Sequence, residues 1–284
     1  GHTPFGHAGE RILSSLYQEH TGRYFNHNVH SVRVLDDMVN WNISLQTLDG
    51  ILCHNGELEL KEYRPCEMST FVEYDKKVEA CYVDEKAIGE LIPCTLEGCV
   101  MRICDIIAYL GKDRQDAMRL NLLKESPFTA GAIGTSNGEI INNFSVNIIE
   151  NSYGKDYLKM DEEYFDALRQ AKKENYEMIY NNKSLNDLYE NEIRPMFGEL
   201  YEELLRQAES GDKSSVFYRH HMAYMEKNNF YVKSHVRKPY AEQEKNQLVV
   251  DYLASMTDDY FIALYHYLFP KGKHDVKFVG YFDL

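Results

Sequence analysis

The sequence predicts an all-α protein, with a minor short strand or hairpin beside the helices. Three observations lead there. Apolar residues recur at i, i+3 and i+4 through most of the chain, the pattern of helices with one buried face. The two-residue alternation of a half-buried strand is nearly missing. The composition, 44% hydrophobic and 27% charged over 284 residues, is that of a globular chain able to build a core.

The elements follow in order. Ile12, Leu13, Leu16 and Tyr17 form a first stripe after the acidic start at Glu10, and Val29, Val32, Leu35 and Val39 form a second segment that Trp41 ends. A third helix fits residues 45–53, with Asn55-Gly56 as its stop signal. Residues 56–86 carry Pro65, several charges and few periodic positions, so a loop-rich excursion is expected. Leu96, Cys99, Val100, Ile103, Ile107, Tyr109 and Leu110 make a strongly apolar helix whose hydrophobic positions cover more than one face, which predicts a central place. A linker-like stretch over 126–138 precedes a helix over 139–152. Met160-Asp161-Glu162-Glu163 reads as a helix start, with acids where the macrodipole favours them. The charged, amphipathic chain that follows runs to Gln207, broken near Asn181-Asn182 and Pro195, and Ser210-Gly211-Asp212 punctuates it. Its acids from Asp161 to Glu177 read as a solvated face, and His220-His221 as a polar helix face. A last long helix is expected over 241–269, stopped by Pro270-Lys271-Gly272, and residues 276–281 suit a short strand. In that helix Met256 and the tyrosines read as core, and the Asp258-Asp259 pair, which could cap or bind, reads more simply as helix packing. Nothing repeats internally, so a single helical domain over 1–284 is expected, with 155–240 as a peripheral subregion.

Charge and cysteine usage narrow the function classes. A net charge of −14 argues against a broad nucleic-acid footprint, which needs clustered cations, but leaves room for a small anionic ligand at a local basic site. The apolar runs fall short of the ~20 residues of a spanning helix, and the first residues have no signal-peptide pattern, so a cytoplasmic place is expected. Cys53, Cys66, Cys81, Cys94, Cys99 and Cys104 contain no CxxC pair, and free reduced thiols are expected.

Three constellations carry chemistry. In Gly1-His2-Thr3-Pro4-Phe5-Gly6-His7-Ala8-Gly9-Glu10, a helix starting near Phe5 puts His7 and Glu10 on one face at i, i+3, where the carboxylate can fix the tautomer of the imidazole and raise its basicity. Asp105, Tyr109 and Asp113 lie at i, i+4, i+8 on an otherwise apolar helix. A carboxylate there either is paired or holds a metal, because an unpaired buried charge is very costly. In Phe25-Asn26-His27-Asn28-Val29-His30-Ser31-Val32-Arg33, His27 and Ser31 share a face, and lone histidines of this kind are usually structural.

These segments together resemble the dGTPase-like group of HD-domain deoxynucleoside triphosphate triphosphohydrolases. The first ten residues look like the second half of the signature His-Asp-x-Gly-His-x-Pro-Phe-Gly-His-x-Gly-Glu, and residues 25–33 are similar to the segment Phe-x-His-Asn-x-x-Ser-x-Arg. Residues 104–113 resemble the helix Asp-Ile-x-Tyr-x-x-x-Asp, Val250-Asp251-Tyr252-Leu253-Ala254-Ser255-Met256-Thr257-Asp258 resembles Asp-Tyr-Ile-Ala-x-Met-Thr-Asp, and Gly280-Tyr281-Phe282-Asp283 is similar too. The resemblance implies an HD-type helical fold around a divalent metal (Mn, Mg, Fe or Zn) held by His, His-Asp and Asp, in a homo-oligomer that cleaves a deoxynucleoside triphosphate at the α-phosphorus. It implies that Asp105 is the last metal ligand. Tyr109, Asp113 and Asn28 would contact the nucleotide, with Asp113 accepting from the sugar 3′-hydroxyl. His7 and Glu10 would form a dyad beside the scissile phosphate, His2 would donate a proton to the leaving 5′-oxygen, and His27 would contact the phosphates.

The pattern's His-Asp pair would fall directly before Gly1, and its first ligand His further upstream. The expectation is therefore an N-terminally incomplete enzyme whose 284 residues alone hold no stoichiometric metal and turn over negligibly. Two alternatives stand beside it: a non-catalytic nucleotide-binding or oligomerisation protein, and an HD phosphohydrolase for another nucleotide.

Overall fold

Helix-forming stripes and strong caps account for nearly all the regular structure. The computed structural model describes residues 2–39, 41–55, 59–120, 122–123, 128–228 and 239–276. Its helices are α1 (Gly6–Thr21), α2 (His27–Arg33, continuing as a π-helical turn over Val34–Met38), α3 (Leu45–Leu52), α4 (Phe71–Val83), α5 (Leu96–Arg119), α6 (Asn137–Ser152), α7 (Glu162–Asn175), α8 (Lys183–Leu188), α9 (Arg194–Ser210), α10 (Ala223–Asn228), α11 (Lys245–Ala254) and α12 (Asp258–Leu268). Two strands, β1 (Glu62–Tyr63) and β2 (Leu158–Lys159), pair antiparallel with Glu62 opposite Lys159 and Tyr63 opposite Leu158. The all-α expectation holds, in agreement with an HD-type helical fold.

The chain forms two compact units. Among the described residues, those within 2–44, 76–88 and 187–276 make the first, and those within 45–75 and 89–186 make the second. In the first, α9 buries Met196, Phe197, Leu200, Tyr201 and Leu204, the i, i+1, i+4, i+5, i+8 stripe of an amphipathic helix, against Ile12, Leu13 and Tyr17 of α1 and Leu248, Val249 and Leu253 of α11. Truncating one such side chain to Ala costs about 2–5 kcal/mol, a large part of a domain's net stability. In the second, Ile103, Ile106, Ile107 and Leu110 of α5 pack with Ile140 and Phe144 of α6 and Leu168 and Ala171 of α7. Arg114, buried on α5, joins it to α7 by donating to Asn175 Oδ1 (2.8 Å), the Ala171 carbonyl (3.2 Å) and Glu174 (3.1 Å).

Several expectations are corrected. Residues 56–86 are not loop throughout, because Thr70 and Glu73 cap α4 reciprocally: the Thr70 hydroxyl accepts the Glu73 N–H, and the Glu73 carboxylate accepts the Thr70 N–H. Caps of this kind start a helix where hydrophobic periodicity is weak. The run 241–269 is two helices, since Thr257 accepts the Tyr260 N–H and Asp258 and Asp259 fill a new first turn. Pro195 does not break a helix; it sits in the first turn of α9, where its missing N–H costs nothing. The apolar helix α5 is open along one side, with Val100 and Met101 about half exposed at 44% and 51%. Glu174, read as solvated, is buried on Arg114. His221 is buried rather than on a polar face, whereas His220 is exposed and meets the Tyr260 hydroxyl at 2.7 Å. Met256, Tyr252 and Tyr265 are core as expected, whereas Tyr267 is exposed. All six cysteines are free. Residues 277–281 of the expected strand and Gly280 to Asp283 lie outside the described residues.

The first unit is centred on a charge. Asp251 of α11 is wholly buried and accepts four hydrogen bonds: Arg33 Nε (2.7 Å) and Gln247 Nε2 (3.0 Å) on Oδ1, Arg33 Nη2 (2.6 Å) and the Tyr240 hydroxyl (2.8 Å) on Oδ2. That uses all four acceptor sites of a carboxylate. Burial opposes the Asp251 charge, yet Arg33, His30 and these bonds hold its carboxyl far below the usual range. The Tyr240 proton goes to Asp251, so His221 Nε2, 2.8 Å away, is the donor to the Tyr240 oxygen.

His221 has a consequence for stability. Burial first, then Arg33 and His30, push it down to about 4 against the partial support of Asp251. Between pH ~4 and ~6.5 the unfolded chain binds a proton that the folded chain refuses, so stability falls as pH drops through that window and the term is flat below it. His221→Phe keeps the ring stacked on Tyr252 but removes this titration. We expect the stability difference between wild type and variant to shrink by about 3 kcal/mol from pH 7.5 to pH 4, read by chemical unfolding at each pH. A difference independent of pH would contradict the assignment.

Candidate functional site

The chain enters α1 through a tight turn. Thr3 Oγ1 donates to the Gly6 carbonyl over 3.0 Å, and the Gly6 N–H reaches back to the Thr3 carbonyl. Phe5 and Gly6 both take left-handed conformations, φ 61° and 55°. Glycine does so freely, while a residue with a Cβ stands about 1–2 kcal/mol above its preferred regions. Two contacts fix Phe5: its ring meets Phe261, Phe197 and Tyr189 edge-on, with centroids 5.4–6.5 Å away, and its N–H donates to Asp258 Oδ1 over 2.8 Å. Gly9 is also required, since a Cβ there would lie 1.8 Å from the Pro4 carbonyl oxygen.

The turn delivers His7 and Glu10 one helical turn apart, as their spacing predicts, with His7 Nδ1 3.2 Å from Glu10 Oε2. Glu10 also reaches α2. The His27 backbone N–H donates to Oε1 at 2.7 Å, and His27 Nδ1 lies 2.9 and 3.0 Å from the two oxygens. Glu10 therefore caps α2, whose own N-cap residue Asn26 makes no side-chain bond there. Burial opposes the Glu10 charge, but the bonds from His27 and His7 outweigh it and hold its carboxyl well below the ordinary range. An ionised carboxylate only accepts. Both Nδ1 atoms thus carry their protons toward Glu10, and both rings turn their Nε2 edges away from it.

His2 completes the group. Its ring is stacked on His27 (centroids 4.2 Å apart, 16° between planes) and edge-on to His7 (4.8 Å, 85°). Burial, then the neighbouring His27 and His7, push His2 down to about 4, so it is neutral near pH 7. Ligand atoms of His2, His7, Glu10 and His27 all lie within 4.8 Å of one another, the one such grouping of His, Cys, Asp and Glu among the described residues. With Glu10 engaged by both imidazoles, a ligand would meet the three rings. The His7 side chain is 49% exposed and Glu10 only 13%, so the carboxylate is covered and an imidazole is presented. Asn28 is buried beside His27, and Ser31 donates to the His27 carbonyl over 2.7 Å.

Asp105, Tyr109 and Asp113 belong to the second unit, half-buried on successive turns of α5. The Tyr180 hydroxyl donates to Asp113 Oδ2. Burial, then that bond to a carboxylate, raises the Tyr180 pKa, so it remains a donor. Sequence reasoning missed Tyr180 because it sits on the π-helical turn Tyr176–Tyr180, whose period a 3.6-residue pattern does not register. Asp258, for which the sequence favours packing over capping or binding, has a partner 253 residues away that no local pattern shows.

Comparison with known proteins gives a consistent likeness. A family model described as a phosphohydrolase-associated domain matches residues 158–267. The chain is 26% identical over 277 residues to a deoxyguanosinetriphosphate triphosphohydrolase-like protein of Caldanaerobacter subterraneus, covering 95% of this chain and 64% of that relative. A protein of the same description from Desulfatibacillum aliphaticivorans is 24% identical over 286 residues, covering 95% and 67%. Another, from Rhodopseudomonas palustris, is 34% identical over 146 residues, covering 47% and 35%. The chain thus spans about two thirds of the length of the first two. The resemblance read from the motifs is borne out.

The tautomer assignment is directly measurable. At neutral pH, long-range 1H–15N spectra should place protons on Nδ1 of both His7 and His27, and Glu10→Ala should remove both signatures. The hydrogen bonds that depress the Glu10 carboxyl contribute stability that is present above pH ~4.5 and is lost only as pH falls through the lower folded value. Native spectra dominated by Nε2–H rings would refute the arrangement.

Proposed function

From its likeness to dGTPase-like HD proteins we propose that this chain carries the working site of a hydrolase for deoxynucleoside triphosphates. The observation that supports this reading is one charged carboxylate, Glu10, holding the Nδ1 protons of two imidazoles so that their other edges meet a ligand. In the reaction, water oxygen bonds to the α-phosphorus and the bond from phosphorus to the 5′-oxygen breaks. Water loses a proton and the 5′-oxygen gains one, releasing deoxynucleoside and intact triphosphate.

In this reading His7 acts at the scissile phosphate, and Glu10 balances the positive charge of its protonated ring as charge builds on the phosphoryl oxygens. His27 contacts the phosphates, with Asn28 beside it. His2, neutral near pH 7, gains proton affinity as a polyanion approaches and supplies the proton to the 5′-oxygen. The resemblance assigns Tyr109 and Asp113 to the sugar, and the Tyr180 hydroxyl donates to Asp113 Oδ2. The resemblance also calls for a divalent metal. Of its ligands Asp105 alone belongs to these 284 residues, and a single half-buried carboxylate does not fit a transition-metal ion, which takes several ligands in defined geometry. No step here runs through it.

The test is product analysis by 31P NMR of the full gene product with each deoxynucleoside triphosphate and Mn, Mg, Fe(II) or Zn. Intact triphosphate is expected. Pyrophosphate or orthophosphate as first product, or no turnover under any condition, would overturn the reading. His7→Ala should lower the rate ~10²–10⁴-fold with nucleotide affinity less affected. Asp113→Ala should instead weaken discrimination at the sugar.

A further inference from the structure

We propose that Asp258 is the positioning residue of the histidine site, acting through the backbone of Phe5. The inference rests on the reading of His2, His7, Glu10 and His27 as the working site. Phe5 is in a left-handed conformation that a residue with a Cβ does not choose, and it stands two residues before His7. Its N–H, pointing away from any turn of α1, ends on Asp258 Oδ1 at 2.8 Å. Its ring meets Phe261 of the same helix, one turn further on. The first turn of α12 therefore holds Phe5 by backbone and ring together.

Each link has its own cause. Thr257 caps α12, which orients the first turn and puts the Asp258 side chain at its start. The acceptor there selects the backbone direction at Phe5. That direction sets where α1 begins, and the beginning of α1 sets the angle at which His7 and Glu10 leave the helix. His27 follows, because its Nδ1 and its backbone N–H are both bound by Glu10. Asp258 touches none of the imidazoles; its influence is geometric. The neighbouring Asp259 is equally charged and exposed, in the same first turn. It serves as the control for charge alone.

The experiment compares Asp258→Ala, Asp258→Asn and Asp259→Ala in the full gene product, with the imidazole 15N spectra as the primary readout and kcat and KM as the second. Asp258→Ala should lose the ordered Nδ1–H signatures of His7 and His27 and lower kcat by ~10–100-fold with KM nearly unchanged, the scale of a small misplacement of catalytic groups. Asp258→Asn keeps a carbonyl acceptor for the Phe5 N–H and should restore both readouts, and Asp259→Ala should resemble wild type. Wild-type imidazole spectra in Asp258→Ala would overturn the proposal, as would Asp258→Asn failing alongside Ala. Should Asp258→Ala not fold, the Asn variant decides the matter: native spectra support an acceptor role, and disordered ones in a folded protein contradict it. If wild type has the ordered imidazoles but hydrolyses no deoxynucleoside triphosphate, the proposed function falls and the positioning stands.

Discussion

The buried carboxylate of Asp251 is the interaction on which the first unit depends. It is fully shielded from water, and four donors from three separate segments saturate it: Arg33 of α2, Tyr240, and Gln247 of its own helix. Arg33 is in turn held by Asp37 at 3.1 Å and by Gln243 Oε1 at 2.6 Å. A buried pair of this kind contributes little over a well-packed apolar substitute, but removing one partner leaves an uncompensated charge and costs ~3–5 kcal/mol. It therefore acts mainly to specify: α2 can dock on α11 in one register. His27 stands at the start of that same short helix, so the register of a structural ion pair fixes the height of a site residue.

Glu10 repeats the construction closer to solvent. It too gathers its donors from separate segments, but two of them are imidazoles, each bound to it through Nδ1. The difference lies in the partners. Arg33 spends its donors inside the fold, whereas His7 and His27 have one nitrogen on the carboxylate and one beyond it. Carboxylates from α11 and α12, Asp251 and Asp258, hold the two elements that Glu10 brings together. Residues distant in sequence thereby hold a turn in which Phe5 is left-handed.

How much of this was legible beforehand varies with the range of the interaction. The His7–Glu10 pair follows from three-residue spacing, a local property that any helix would express. α6 is expected from residue 139, and the capping box of Ser136 and Glu139 starts it slightly earlier, at Asn137; α7 follows from Asp161 as its cap. α4 was not legible because its signal was the Thr70–Glu73 cap rather than a stripe. The division of 241–269 was hidden by continuous apolar periodicity across Thr257. In the site, His27 could be named only through a family resemblance, because its bond to Glu10 spans 17 residues and two helices. Tyr180 had no local mark at all, and the motif that contains Asp258 gives no sign of its bond to the Phe5 N–H. Spacing encodes what one helix presents, whereas partnerships between segments are set by packing.

The central claim is that the imidazoles oriented by Glu10 are the phosphate-contacting groups. A crystal structure of the full gene product with a deoxynucleoside triphosphate analogue that resists cleavage at the α-phosphorus tests it most directly. The account predicts α-phosphate oxygens within about 3 Å of Nε2 of His7, a phosphate contact from His27, and both Nδ1 atoms still on Glu10. A triphosphate bound with its phosphates away from His2, His7 and His27, or a Glu10 that releases both rings on binding, would contradict it.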